Sequence, residues 1–87
     1  MTVVGIGWYK KEQWSDLRRV SVDRDQLEAT WKEWSVNAER TMVRLMKSGA
    51  NVQKVTVDID ELVLWCRSQN RPVDGDARSA YVTAKMR

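Results

Sequence analysis

Eighty-seven residues hold one hydrophobic core and not two, and 43% hydrophobic against 31% charged residues is the balance of a folded domain rather than a disordered tail. Fifteen Lys and Arg over twelve Asp and Glu leave a net charge of +3, which permits a nucleic-acid partner without demanding one. Zero histidines exclude His general bases, Ser–His and Cys–His dyads and His-containing zinc sites, and a single cysteine makes neither an internal disulfide nor a Cys-rich metal site.

No apolar run reaches the length of a membrane span. The opening MTVVGIGW has no basic region before it and meets Lys10, Lys11 and Glu12 at once, which does not read as a signal peptide. The expectation is a cytoplasmic chain with no membrane partner. Five Trp and two Tyr with no Phe supply the large side chains that close a small core.

Residues 2–7, TVVGIG, read as a short strand, whose Gly5 and Gly7 would let another backbone approach closely. Gly5-Ile6-Gly7 begins like a dinucleotide fingerprint, but Lys10 stands at the third glycine position and Trp8 fills the space a pyrophosphate needs, so no nucleotide site is expected. From Lys10 to Val20 the chain turns helical. Trp14, Leu17 and Val20 sit three apart, with Arg18 and Arg19 near the end where the helix dipole favours cations.

A long helix is expected over 24–48. Asp23 is its N-cap, Gln26 answers at N3, and Val22 with Leu27 forms a hydrophobic staple. Leu27, Trp31, Trp34, Ala38, Met42 and Leu45 make a continuous stripe, and Gly49 ends the helix in the left-handed conformation. At ~1.5 Å per residue it would be roughly 35 Å long and would serve as the spine of the molecule. Arg40, Arg44 and Lys47 line one face near its end, the mirror of Asp23, Asp25 and Glu28 at its start, which is dipole complementarity before it is a phosphate track.

Residues 52–58, VQKVTVD, alternate, with Val55 and Val57 on one face, and the natural partner of this strand is the N-terminal one. Asp58 caps a helix over 59–69, with Glu61 at N3 closing the box and Val57 with Leu62 as staple. Capping and the dipole account for Asp58, Asp60 and Glu61 without a metal. Cys66 shares the apolar face of Ile59, Leu62 and Val63, so it reads as a core thiol rather than a nucleophile. LVLWC, 62–66, is apolar all round and must be covered on more than one side. After Arg71-Pro72 a last helix over 75–86 carries the stripe Ala77, Ala80, Tyr81 and Ala84.

The fold class expected is α/β of the mostly helical α+β kind. It is a single compact domain over 1–87 in the order β-α-α-β-α-α, with a two-stranded sheet packed on a long central helix and Trp14, Trp31, Trp34 and Trp65 as core wedges. No catalytic, cofactor-binding or metal residue can be named and no cofactor is implied, so the chain reads as a non-enzyme with no evident small-molecule ligand. A two-stranded sheet leaves edges that must be covered or paired. The leading reading is therefore an interaction protein that meets a partner protein or a second copy as a homodimer, through a surface containing Trp8, Leu64 and Val82. The alternative is DNA binding through helices 59–69 and 75–86 as a helix-turn-helix, with Arg71, Arg78, Thr83, Lys85 and Arg87 as contacts.

Trp8-Tyr9, Glu12-x-Trp14, Asp25-x-Leu27-Glu28, Trp31-x-x-Trp34, a strand, Val57-Asp58-x-Asp60-Glu61-Leu62 and Trp65-Cys66 follow one another in an order that resembles a group of short bacterial proteins described as hypothetical. The resemblance implies a bacterial, cytoplasmic, stand-alone protein and brings no activity and no functional residues.

Overall fold

The computed structural model describes residues 3–87, so Thr2 of the expected first strand lies outside the described residues. Strand β1 (Val3–Trp8) is followed by a single 3-10 turn and helix α1 (Trp14–Val20). A second 3-10 turn (Arg24–Gln26) leads to α2 (Trp31–Lys47), strand β2 (Asn51–Thr56), α3 (Ile59–Ser68) and α4 (Gly75–Lys85). The two strands pair in parallel with Ile6 opposite Lys54 and Trp8 opposite Thr56. The α2 crossover between them is what a parallel pair requires.

The pleat decides which helix covers which face, because successive side chains of a strand point to opposite sides. On one side, a Cβ at Gly5 would collide with Met86 Sδ, and one at Gly7 would stand 3.0 Å from Val82 Cγ2 and 3.2 Å from Val57 Cγ2. The glycines thus let α4 settle directly on β1. On the other side, Trp8 meets Trp34 of α2 with ring centroids 4.9 Å apart. Lys54 lies over the Trp8 ring at 3.9 Å and reaches Glu39 of α2 at 3.4 Å. The molecule is therefore three layers, with α2 on one face of the sheet and the remaining helices on the other.

The main core fills the second interface. Tyr9, Trp14, Leu17, Val57, Ile59, Leu62, Cys66, Val73, Ala77, Tyr81 and Val82 form one buried cluster. Met42, the buried residue of α2, stands apart from it. Trp34 joins the two regions, stacking on Trp14 at 5.3 Å and meeting Tyr9 edge-on at 5.1 Å. Trp65 packs on Tyr81 at 5.7 Å, and Cys66 is buried as its apolar face predicts.

The spine helix is shorter than its sequence suggests. It starts at Trp31, capped by Thr30, whose Oγ1 accepts from the Glu33 N–H at 3.2 Å. Its 17 residues make a rod of roughly 25 Å. Two N-cap sequences compete here, and Asp23 loses because its carboxylate is taken by Arg78, 55 residues away. Without that cap, residues 24–26 form only one 3-10 turn, Leu27 is extended, and Val22 is exposed rather than stapled to Leu27. Asp58 and Asp74 do cap α3 and α4, accepting from the Glu61 and Ala77 N–H groups at 3.0 and 2.8 Å. Glu61 departs from the expected capping box: its carboxylate takes the Tyr81 hydroxyl at 2.7 Å and Lys85 Nζ at 3.0 Å.

Candidate functional site

A cleft of about 520 Å³ is lined by Gly5, Ile6, Gly7 and Tyr9, by Trp34, Asn37, Ala38 and Thr41 of α2, by Gly75, Arg78, Ser79, Val82 and Thr83 of α4, and by Leu27 and Glu28. No residue of β2 contributes. Since α2 and α4 cover opposite faces of the sheet, a cavity touching both can only run along the outer edge of β1, with the two helices as walls.

The phase of the strand ladder fixes what that edge offers. The Val57 N–H donates to the Trp8 carbonyl at 3.1 Å, so Trp8 directs its backbone polar groups toward β2. In a parallel pair alternate residues do so, which places Val4 and Ile6 with Trp8 and turns Gly5 and Gly7 outward. Neither glycine has a backbone hydrogen-bond partner outside the ladder among the described residues. Tyr9 is next in the outward phase, and its carbonyl accepts from Trp31 Nε1 at 2.8 Å, which closes the edge at that end. Two consecutive outward residues of a strand are thus left unpaired on the floor of a cleft.

The closed end is polar. Arg78 grips Asp23 with both terminal nitrogens at 2.9 Å and donates to the buried Ser21 hydroxyl at 3.1 Å. Asp23 also accepts from the Gly75 N–H at 3.1 Å, anchoring the start of α4. The bidentate arginine holds the Asp23 carboxyl below its ordinary range, against the opposing effect of burial. Glu28 is oriented by Asn37 Nδ2 at 3.0 Å. Tyr9 is 7% exposed, yet its hydroxyl has no hydrogen-bond partner among the described residues. That oxygen lies 3.5 Å from where a Gly7 Cβ would stand, against the cleft. Burial pushes its pKa up, so at neutral pH it is a neutral group able to donate or accept.

The residues expected to form a nucleic-acid face are divided by the structure. Arg78 is turned inward to Asp23 and Lys85 is bound to Glu61, so neither is a free surface cation. Arg87 is exposed, Arg71 is half-buried, and Thr83 stands on the cleft wall. Of the expected interaction residues, Leu64 is 64% exposed, so this side of the apolar 62–66 run is left uncovered within the chain. Val82 is not a surface residue: it is 5% exposed, wedged between the glycines of β1 and the core. Trp8, expected on the interaction surface, is half-buried between Trp34 and the Lys54 ammonium. The sequence reading missed Tyr9, Asp23, Ser79 and the α2 wall. The one signal for the site was the Gly-x-Gly in a β-branched strand.

Among the described residues no cluster of His, Cys, Asp and Glu could hold a metal ion, and no helix is long and apolar enough to cross a membrane. Comparison of the chain with protein-family models, with curated proteins and with solved structures finds no match.

Proposed function

We propose that this chain is a non-enzymatic interaction protein that binds a partner protein through the cleft along β1, in a cytoplasmic setting. The observation that carries the reading is the pair of glycines, Gly5 and Gly7, whose outward backbone groups line the cleft floor without a partner among the described residues. Buried or recessed backbone groups are normally paired, and strand edges are normally covered. A cleft that keeps such groups accessible has the character of a recognition surface. A mouth of this volume between an apolar strand and two helix walls is also of the size that binding sites have.

The DNA reading has less support, because Arg78 and Lys85 already serve carboxylates of the same chain and the cleft carries no uncompensated cation among its lining residues.

The reading is tested by selecting a phage-displayed library of random peptides on the immobilised protein. Binders should be lost with Ser79→Trp, which fills the cleft from an exposed position of α4, and kept with Val36→Asp on the outer surface of α2. Binders indifferent to Ser79→Trp, or no enrichment at all, would sink it.

A further inference from the structure

Resting on that reading, we infer that the cleft takes an extended segment of its partner as a third strand on β1, hydrogen-bonded to Gly5 and Gly7 and met at its end by the Tyr9 hydroxyl.

The floor decides the occupant. The cleft runs along the β1 edge with α2 and α4 residues on either side, and a single extended chain beside a strand sits about 4.8 Å away. The floor presents its unmatched donors and acceptors at Gly5 and Gly7, two residues and thus about 6.6 Å apart. That is the repeat at which an added strand offers its own N–H and C=O groups. Neither glycine has a side chain to obstruct the approach, since the space on the Cβ side belongs to Val82 of α4 and to Met86 just after it. The pleat of an added strand would send alternate side chains toward Ser79, Val82 and Thr83 on one wall and toward Trp34, Ala38 and Thr41 on the other. Small and β-branched side chains suit both.

The chemistry of the closed end selects among extended ligands. Trp31 already occupies the Tyr9 carbonyl, so the ladder stops after Gly7. The next polar group is the Tyr9 hydroxyl, which faces the cleft and has no protein partner among the described residues. Asp23 and Arg78 neutralise each other, leaving the end polar without net positive charge. A peptide carbonyl or amide fits there better than a phosphate. The same hydroxyl, on a side chain otherwise 7% exposed, opens onto the cleft without a protein partner among the described residues, and so offers a ligand a hydrogen-bonding group.

The decisive experiment uses a synthetic copy of a selected cleft-dependent peptide, its affinity measured by fluorescence anisotropy, and variants of it N-methylated one amide at a time. Strand addition predicts that methylation abolishes binding at every second position and is tolerated between them, because only alternate amides face β1. Tyr9→Phe should weaken the same peptide about two- to tenfold, the loss of one hydrogen bond, with the far-ultraviolet spectrum unchanged. A methylation profile without alternation, for a peptide that Ser79→Trp still blocks, would overturn strand addition and leave the cleft as the binding site. Peptides insensitive to Ser79→Trp, and to Thr83→Trp as a second block, would overturn both.

Discussion

Removing Asp23 should be among the most damaging single changes in the molecule, although sequence alone assigns it only a helix cap. In the fold its carboxylate holds Arg78 by two bonds at 2.9 Å and the Gly75 N–H at 3.1 Å, tying residues 21–23 to the start of α4. The two side chains are 12% and 16% exposed, Arg78 and Asp23 respectively. Breaking a fully buried pair costs about 3–5 kcal/mol and a hydrogen bond to a charged group about 1.5–3 kcal/mol. Partial solvation here points to the lower end, so Asp23→Ala should cost about 2–3 kcal/mol at pH 7, a fall in Tm of roughly 10–20 °C for a domain of this size. Thermal unfolding followed by far-ultraviolet circular dichroism measures it. Arg78→Leu should cost a similar amount, and the double variant far less than the sum, because each single change strands the other partner. The pH dependence carries a definite sign. Asp23 titrates below its ordinary range in the fold because of Arg78. The unfolded chain therefore binds the proton more readily, and the stabilisation is present above the unfolded aspartate pKa near 3.9 and lost as pH falls through the lower folded value. The gap between wild type and Asp23→Ala should narrow over that acid range. Additive single costs, or a gap that stays constant down to the lowest pH at which the wild type still folds, would show that the pair does not hold α4 in place.

The two tyrosines are both shifted up, Tyr9 chiefly by burial and Tyr81 by burial reinforced by its hydrogen bond to Glu61. Absorbance near 295 nm should therefore show little tyrosinate in the native protein at pH 10 and full ionisation in denaturant; half-ionisation of the native form at pH 10 contradicts the packing described. Burial also raises the Cys66 thiol, so the native protein should react with a thiol-disulfide reagent far more slowly than the unfolded chain, and equal rates would remove Cys66 from the core. Gly7→Val adds branched carbon where Val82 Cγ2 and Val57 Cγ2 already crowd the Cβ position at 3.0 and 3.2 Å. It should destabilise by roughly 1–3 kcal/mol through overpacking, measured by urea unfolding, and a variant as stable as wild type would mean that α4 does not lie on β1 as closely as described.

Wherever a local signal had no distant competitor, the sequence was a sufficient guide. Asp58 caps because nothing else claims its carboxylate, and Cys66 is core because three apolar neighbours share its helical face. The α+β order and the pairing of the two strands follow from alternation and from the shortage of other partners. Asp23 shows where this reasoning ends. Its local grammar is as good as that of Asp58, but Arg78 offers two charged hydrogen bonds against one backbone bond, and no periodicity in the sequence records a contact across 55 residues. The spine helix lost its first two turns for that reason. Val82 was misread because small residues around it, Ala80 and Ala84, drew the apolar stripe one step round the helix, whereas β1 lacks the side chains that would have kept α4 away. The cleft itself was illegible, since it depends on α2 and α4 lying on opposite faces of the sheet.

The glycines of β1 tie the stability of the fold to the accessibility of its edge. A side chain at position 7 would crowd Val82 and Val57, and one at position 5 would displace the Met86 side chain, so the glycines let the core close tightly around Val82 and Val57. The same glycines then give the outward side of the strand nothing to shield its backbone with. An open edge is ordinarily an invitation to indiscriminate pairing. Here residues of α2 and α4 flank that edge on either side and line the cleft along it. Tyr9 sits where that cleft ends, its hydroxyl unpaired and its carbonyl already closed off by Trp31.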